Sequence, residues 1–295
     1  WQKIGACKPD WVVPGDREDW LPMVLDRAES MLERDKNHPS IIIWSCGNEA
    51  FGGEVLYKMS EYFRGRDSSR LVHYESIFWD RRYNDTSDME SRMYAKVTDI
   101  EEYLNDNPQK PFINCEYTHA MGNSNGAMHK YTELENKYPM YQGGFIWDYI
   151  DQAIMTKDRY GKEFLAFGGD FGDQPTDYNF CVNGVVYADR RPSPKMQEVK
   201  QLFCDFKLFP EKNGVLIKNE SLFTNANKYI LRYTLKKEGI SLYSNILIPE
   251  VSPLSEKFIE LSFPNYTDSG EYIIECSLEL VDNTLWEKNG HELCF

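Results

Sequence analysis

Apolar residues follow two different patterns along this chain, and the change comes near residue 205. In the first part, segments with helical spacing alternate with short apolar runs. The pattern predicts strands that begin near residues 41, 71, 93, 112 and 143, and helices at 20–36, 54–64, 99–105, 126–137 and 196–203. Such alternation indicates a parallel sheet flanked by helices.

Polar residues able to do chemistry collect where these strands end, as they do at the carboxyl-terminal face of a (β/α)8 barrel. About five strands can be recognised, fewer than the ~eight of a closed barrel. We therefore predict a partial (β/α)8 TIM-type barrel, with later strands only, over residues 1–204. Residues 1–16 are expected to be irregular, and 160–194, rich in Gly and Asp, to form a loop. The chain starts with Trp1 instead of Met, so we expect it to be a piece of a longer protein.

Beyond residue 205 the apolar runs become short and are separated by polar turns. They lie at 215–217, 229–234, 257–261 and 272–276. This spacing predicts an immunoglobulin-like β-sandwich over residues 205–295. The fold class predicted for the whole chain is α/β plus all-β.

Composition argues against several classes of partner and site but does not identify a function. The 295 residues carry a net charge of −14, which argues against nucleic acid or an anionic membrane as a partner. No apolar run approaches the ~18 residues of a membrane helix and no signal peptide is recognisable, so we expect a cytoplasmic enzyme. The seven cysteines form no CxxC pair, so neither a zinc site nor a disulfide framework is indicated. Aromatic residues make up 14%, enough to supply flat faces for sugar stacking as well as core.

Two carboxylates occupy equivalent places after apolar runs. Glu49 ends the segment Ile41-Ile42-Ile43-Trp44-Ser45-Cys46-Gly47-Asn48-Glu49, and Glu116 follows Pro111-Phe112-Ile113-Asn114-Cys115. Neighbouring strand ends on a barrel rim can bring two such groups close together. Retaining glycosidases need a carboxyl pair about 5–5.5 Å apart, one as nucleophile and one as acid and base. The pattern therefore suggests two-carboxylate glycoside chemistry.

Longer motifs around both residues resemble the two active-site signatures of β-galactosidases in glycoside hydrolase family 2. They are Trp44-Ser45-Cys46-Gly47-Asn48-Glu49 and Cys115-Glu116-Tyr117-Thr118-His119-Ala120-Met121-Gly122-Asn123-Ser124. The resemblance is strong over roughly residues 17–200 and covers the sandwich only by position. It implies that Glu116 is the nucleophile and Glu49 the acid/base.

The resemblance also implies substrate contacts. Asn48 would bind the 2-hydroxyl of the sugar, His119 a galactose hydroxyl, and Trp147 would form the floor beneath the ring. Tyr94, in Met93-Tyr94-Ala95, would donate a hydrogen bond to the nucleophile.

Two cations are further implications of the resemblance. Mg²⁺ would bind Glu49 together with a Glu and a His further upstream, and no Glu-x-His pair precedes the first helix here. Na⁺ would bind the carbonyl of Phe180 and the side chain of Asn183, with an Asp from upstream sequence. Both ligand shells are expected to be incomplete in this chain.

The function expected on these grounds is a fragment of a retaining β-galactosidase that hydrolyses terminal β-D-galactosides such as lactose. The isolated chain should have little or no activity without its N-terminal domains. Alternatives are a β-glucuronidase or β-mannosidase of the same family, or a non-catalytic carbohydrate-binding or assembly module. A subunit of a naturally split enzyme is disfavoured by the non-Met start, and a homo-oligomer is left open.

Overall fold

A computed structural model describes residues 12–266 and 268–295, so most of the predicted irregular segment at 1–16 lies outside the described residues. The described residues fall into two compact units, one up to Ser193 and one from Pro194 to Phe295. The unit boundary therefore precedes the last helix, whereas the sequence-based boundary after residue 204 grouped that helix with the barrel. None of the described helices is both long and apolar enough to cross a membrane.

In the first unit, helices alternate with strands through most of the chain, as the sequence pattern predicts. The helices are α1 (Leu21–Asp35), α2 (Glu54–Arg66), α3 (Val97–Asn105) and α4 (His129–Lys137), and the strands are β1 (Ile43–Ser45), β2 (Leu71–His73), β3 (Glu90–Met93), β4 (Phe112–Tyr117), β5 (Tyr141–Ile146), β6 (Ile154–Lys157) and β7 (Glu163–Ala166).

Strands β1 and β2 form a parallel pair, and β3, β4 and β5 form a parallel three-stranded sheet with β4 in the middle. A backbone hydrogen bond from Asp88 N–H to the Val72 carbonyl connects β2 to the segment before β3. Residues at or just after the carboxyl ends of β1, β2, β4 and β5, namely Asn48, Glu75, Glu116 and Phe145, line one cleft, so these strand ends lie together.

Two sequence expectations need correction. Residues 160–194 are not loop throughout, because β7 pairs antiparallel with β6 around a turn in which Gly161 N–H donates to the Asp158 carbonyl. The Gly and Asp content reflects this turn and the loop beyond Ala166. Helix α4 begins at His129 rather than 126, since Ala127 has a φ of 59° and cannot lie within a right-handed helix.

Apolar faces of α1 and α2 pack against β1 and β2. Trp44 and Phe63 stack with ring centroids 5.8 Å apart and are both buried, with Ala28 and Val72 in the same cluster. Burying a side chain of the size of Phe63 contributes about 1.5–3 kcal/mol. This cluster holds β1 and β2 rigidly at the base of the loops that follow them.

The second unit contains helix α5 and two antiparallel sheets. Its elements are α5 (Lys195–Phe203), β8 (Phe206–Glu211), β9 (Gly214–Asn219), β10 (Tyr229–Lys237), β11 (Ile240–Leu247), β12 (Ser255–Glu260), β13 (Tyr272–Leu280) and β14 (Glu292–Cys294). The strand orders are β11-β10-β13-β14 and β12-β9-β8. Ile217 and Val215 of one sheet and Leu231 and Leu278 of the other belong to one buried cluster, so the two sheets share a core.

Candidate active site

The loop after β1 carries Asn48 and Glu49, which are both exposed. Gly47 in this loop has a φ of 147°, and Glu49 adopts a left-handed conformation with a φ of 52°. A non-glycine residue in that region is strained, so surrounding contacts must hold it there. One anchor is the backbone bond from Cys46 N–H to the His73 carbonyl, which ties the start of the loop to β2.

Glu116 lies near the end of β4 and is only partly buried. Its Oε2 accepts a hydrogen bond of 2.9 Å from the hydroxyl of Tyr94, and its carbonyl accepts one of 2.8 Å from Tyr94 N–H. The β3–β4 register shifts at Met93, which brings Met93 opposite Glu116. Tyr94 follows directly in a left-handed turn with a φ of 52°. The two sequence-predicted residues are thus in direct contact.

The charges around Glu116 affect its protonation. Burial raises the pKa of the Glu116 carboxyl, the Tyr94 hydrogen bond opposes this, and the negative charges of Glu49 and Asp148 raise the pKa further. Burial, aided by the bond to Glu116, raises the pKa of the Tyr94 phenol, so Tyr94 remains a donor. Glu49 and Glu116 are therefore close enough to interact through their charges.

A cleft of about 440 Å³ lies beside Glu116. The residues that line it include Asn48, His73, Glu75, Glu116 and Phe145. Three larger clefts among the described residues, of about 500, 610 and 790 Å³, are lined by neither Glu49 nor Glu116. We give priority to the smallest of these clefts because Glu116 lines it together with Asn48, the residue before Glu49.

His119 lies beside the Tyr94–Glu116 pair. Its ring centroid is 6.0 Å from that of Tyr94 and 6.0 Å from that of Phe180. Burial lowers the pKa of the His119 imidazole, while the charge of Asp148 opposes this. A neutral imidazole can both donate and accept hydrogen bonds, which suits recognition of a hydroxyl group.

Trp147 follows β5 and is 38% exposed. Its carbonyl accepts a hydrogen bond of 2.7 Å from Ala120 N–H, and its own N–H donates to the Tyr117 carbonyl at 3.4 Å. These bonds attach Trp147 to the loop that carries His119. The exposed part of the indole offers an apolar face to solvent next to the loop that carries His119.

The residues expected to bind Na⁺ lie together. Asn183 is 2% exposed, and its Nδ2 donates to the Phe180 carbonyl at 3.1 Å. Its Oδ1 is buried and has no hydrogen-bond partner among the described residues. A buried amide oxygen without a donor, next to a backbone carbonyl, provides the oxygen ligands that a hard cation prefers. Phe180 and Asn183 therefore fit such an ion.

The described residues do not assemble a site for Mg²⁺. In 12–266 and 268–295, no group of three or more His, Cys, Asp or Glu residues is arranged to hold a metal ion. Glu49 is the one expected Mg²⁺ ligand in this chain, so the structure provides no support for magnesium here.

Sequence reasoning missed Glu75, which lines the same cleft and is 4% exposed. Its Oε1 accepts a hydrogen bond of 2.6 Å from Glu49 N–H. Burial raises the pKa of the Glu75 carboxyl, the hydrogen bonds from Ser76 and from Glu49 N–H oppose the rise, and the charges of Glu49 and Glu116 add to it. The signal that singled out Glu49 and Glu116, a carboxylate just after a strand, applies to Glu75 as well.

Comparison with known proteins bears directly on these residues. The sequence model for "Glycosyl hydrolases family 2, TIM barrel domain" matches residues 1–208. The chain belongs to glycoside hydrolase family 2. A second model, "Beta-galactosidase, domain 4", matches residues 215–295, so both parts of this family 2 chain are recognised.

Curated relatives within family 2 match over the whole chain. The β-galactosidase of Halalkalibacterium halodurans is 60% identical across 100% of this chain and 29% of its own length. The β-galactosidase of Clostridium acetobutylicum is 57% identical across 100% of this chain and 33% of its own length. The chain thus spans about a third of the relatives it matches. A crystal structure of Bacteroides uniformis β-glucuronidase is 16% identical, with a TM-score of 0.46, over 90% of this chain and 37% of that one.

Proposed function

We propose that this chain is part of a retaining β-galactosidase that hydrolyses terminal β-D-galactosides such as lactose by double displacement. The observation that carries the proposal is the hydrogen bond of 2.9 Å from Tyr94 to Glu116, which lines the same cleft as Asn48, the residue before Glu49. Identity of 57–60% to named β-galactosidases supports galactose over other sugars.

In the proposed reaction, Glu116 attacks the anomeric carbon while Glu49 gives a proton to the departing oxygen. A galactosyl–enzyme ester forms on Glu116. Glu49 then takes a proton from water, which attacks the ester and releases galactose with retained configuration. Glu116 attacks in its ionised form, which the hydrogen bond from Tyr94 favours by opposing the rise in its pKa caused by burial.

Three other side chains are proposed to bind and orient the sugar. Asn48 would contact the 2-hydroxyl, a contact that strengthens in the oxocarbenium-like transition state. His119 would bind a galactose hydroxyl, and the exposed face of Trp147 would support the ring. Tyr94 would hold Glu116 in the attacking orientation and stabilise it as a leaving carboxylate.

A bound Na⁺ would be held by the Phe180 carbonyl and Asn183 Oδ1, and would supply a fixed positive charge for a sugar hydroxyl. The buried, unpartnered Oδ1 supports this assignment. No step is assigned to Mg²⁺.

We further propose that the first unit is the later part of a (β/α)8 barrel and the second an immunoglobulin-like β-sandwich within a longer cytoplasmic protein. Phe145, in the cleft on β5, is 61% exposed, which supports further barrel strands over this face. On this account the 295 residues alone have little activity, and the N-terminal domains of the same protein complete the site.

Chromogenic glycosides test the function directly. The full-length protein is expected to cleave nitrophenyl β-D-galactoside far faster than the matching β-glucuronide or β-mannoside. Glu116→Gln should abolish turnover and keep galactoside binding, which would exclude a non-catalytic sugar-binding module. A preference for glucuronide or mannoside, or full activity in Glu116→Gln, would contradict the proposal.

A further inference from the structure

The segments that follow β1 and β2 are joined by side chains as well as backbone. The Tyr74 hydroxyl donates to the Ala50 carbonyl, and Glu75 Oε1 accepts from Glu49 N–H at 2.6 Å. Tyr74 is 1% exposed and Glu75 4%. Tyr74 and Glu75, which follow β2, thus hold Ala50 and Glu49, which follow β1.

Both oxygens of Glu75 are occupied. Oε1 binds the amide of Glu49, and Oε2 accepts a hydrogen bond from the Ser76 hydroxyl. The Ser76 contact fixes the carboxylate plane, so the oxygen that faces Glu49 cannot rotate away. A bond from an amide to a carboxylate is stronger than one between neutral groups.

The amide that Glu75 binds belongs to the residue with unfavourable backbone geometry. Glu49 has a φ of 52°, and this left-handed conformation determines the direction of its side chain. Without an acceptor for its N–H, the backbone of Glu49 would relax toward commoner angles and turn the carboxyl away. The contact therefore orients a side chain through the backbone of the same residue.

We propose that Glu75 is a positioning residue for the acid/base Glu49, whose side chain it orients by holding its backbone amide; the role rests on the proposed glycosidase function. Glu75 borders the cleft together with Asn48 and Glu116, so its carboxylate lies within the site that it organises.

The test uses the dependence of the rate on the leaving group. A phenyl galactoside needs protonation of its leaving oxygen, whereas a 2,4-dinitrophenyl galactoside does not. In the full-length enzyme, Glu75→Ala should lower kcat/KM for the phenyl substrate about 100-fold and for the dinitrophenyl substrate less than about 10-fold, as expected for a misplaced general acid. Azide, which attacks the galactosyl–enzyme without base assistance, should raise kcat of Glu75→Ala on the dinitrophenyl substrate.

Two further variants separate positioning from general damage. Glu75→Gln keeps an oxygen acceptor for Glu49 N–H and should preserve the wild-type ratio between the substrates. Glu90→Gln is the matched control: Glu90 is 1% exposed and binds Arg81 and Arg92 at the other end of β3. Any loss in Glu90→Gln should be equal for both substrates. If Glu75→Ala does not fold, Glu75→Asp, which is too short to reach Glu49, provides the same comparison.

Equal losses on both substrates in Glu75→Ala, or no azide effect, would overturn the role of Glu75. A Glu75→Gln ratio like that of Glu75→Ala would overturn it as well. A different result would contradict the proposed function, namely a wild-type enzyme that prefers a glycoside other than a galactoside. In that case the same two leaving groups on that sugar still measure what Glu75 does.

Discussion

The hydroxyl oxygen of Tyr94 lies 2.9 Å from Oε2 of Glu116, and the two residues are also joined by a backbone hydrogen bond. The side-chain bond orients the carboxylate of Glu116. A hydrogen bond to a charged group contributes about 1.5–3 kcal/mol.

Removing this hydroxyl should impair the chemical step. We expect Tyr94→Phe in the full-length enzyme to lower kcat roughly 10- to 100-fold, the rate equivalent of that energy. Steady-state kinetics on nitrophenyl galactosides measures the change. Tyr103→Phe, which loses a hydroxyl bonded to the Lys110 carbonyl away from the cleft, is the control. An unchanged kcat in Tyr94→Phe would refute the role.

His73 makes stability depend on pH. Its Nδ1 lies 2.9 Å from Ser45 Oγ and its Nε2 2.7 Å from Ser91 Oγ, and burial lowers the pKa of the imidazole from 6.5 to about 4. Between these values the unfolded chain binds a proton that the folded chain does not. The contribution of the neutral His73 imidazole to stability is therefore fully present above pH 6.5 and is lost as the pH falls from 6.5 toward 4.

The size of this loss is at most about 3.5 kcal/mol, at about 1.4 kcal/mol per pKa unit over the shift from 6.5 to about 4. Urea unfolding of the 295-residue chain at pH 7 and pH 4.5 measures it. His73→Gln should reduce the difference between the two pH values, with His38→Gln at an exposed loop position as control. Equal pH dependence in His73→Gln and the unaltered chain would contradict the buried neutral imidazole.

Two glycines near α2 should respond to substitution in opposite ways. A Cβ at Gly53 would lie 2.4 Å from the carbonyl carbon of Gly15, and its φ is 98°. Gly65, inside the helix, has no atom within 4 Å of that position. Gly53→Ala should destabilise by roughly 1–3 kcal/mol or more. Gly65→Ala should stabilise by about 0.4–1 kcal/mol. Denaturant unfolding measures both, and two changes of the same sign would refute the local geometry.

Helix α5 should stabilise the second unit. Lys207 Nζ donates to the carbonyls of Gln201, Leu202 and Cys204 at the end of α5, and Lys200 pairs with Glu292 at 2.9 Å. A fragment of residues 194–295 should therefore have a free energy of unfolding about 1–3 kcal/mol larger than that of a fragment of residues 205–295, because of burial and capping by α5. It should also unfold at a higher temperature. Equal stability of the two fragments would favour the boundary after residue 204.

Local pattern predicts most elements of this chain. Pro22 sets the start of α1, which the structure places at Leu21, because proline is tolerated only in a first helical turn. The apolar spacing after Gly53 predicts α2 nearly to its end. Hairpin β6–β7 was missed because each strand has only four residues, and their adjacent apolar residues show no alternation that would distinguish a strand from a loop.

For the site, sequence motifs single out Glu49, Glu116 and Tyr94, and the structure brings Tyr94 and Glu116 into contact. The part that could not be predicted depends on long-range geometry. Nothing local to Glu75 indicates that it binds the amide of Glu49, 26 residues away. The unpartnered Oδ1 of Asn183 likewise becomes visible only once its surroundings are folded.

Covalent labelling can identify the nucleophile. A 2-deoxy-2-fluorogalactosyl donor with a dinitrophenyl leaving group forms a long-lived ester with the nucleophile of a retaining enzyme, because the fluorine slows its hydrolysis. After incubation with the full-length protein and protease digestion, mass spectrometry should locate the fluorogalactosyl group on Glu116 alone. A label on another residue, or turnover of galactosides that never produces a labelled protein, would contradict the account.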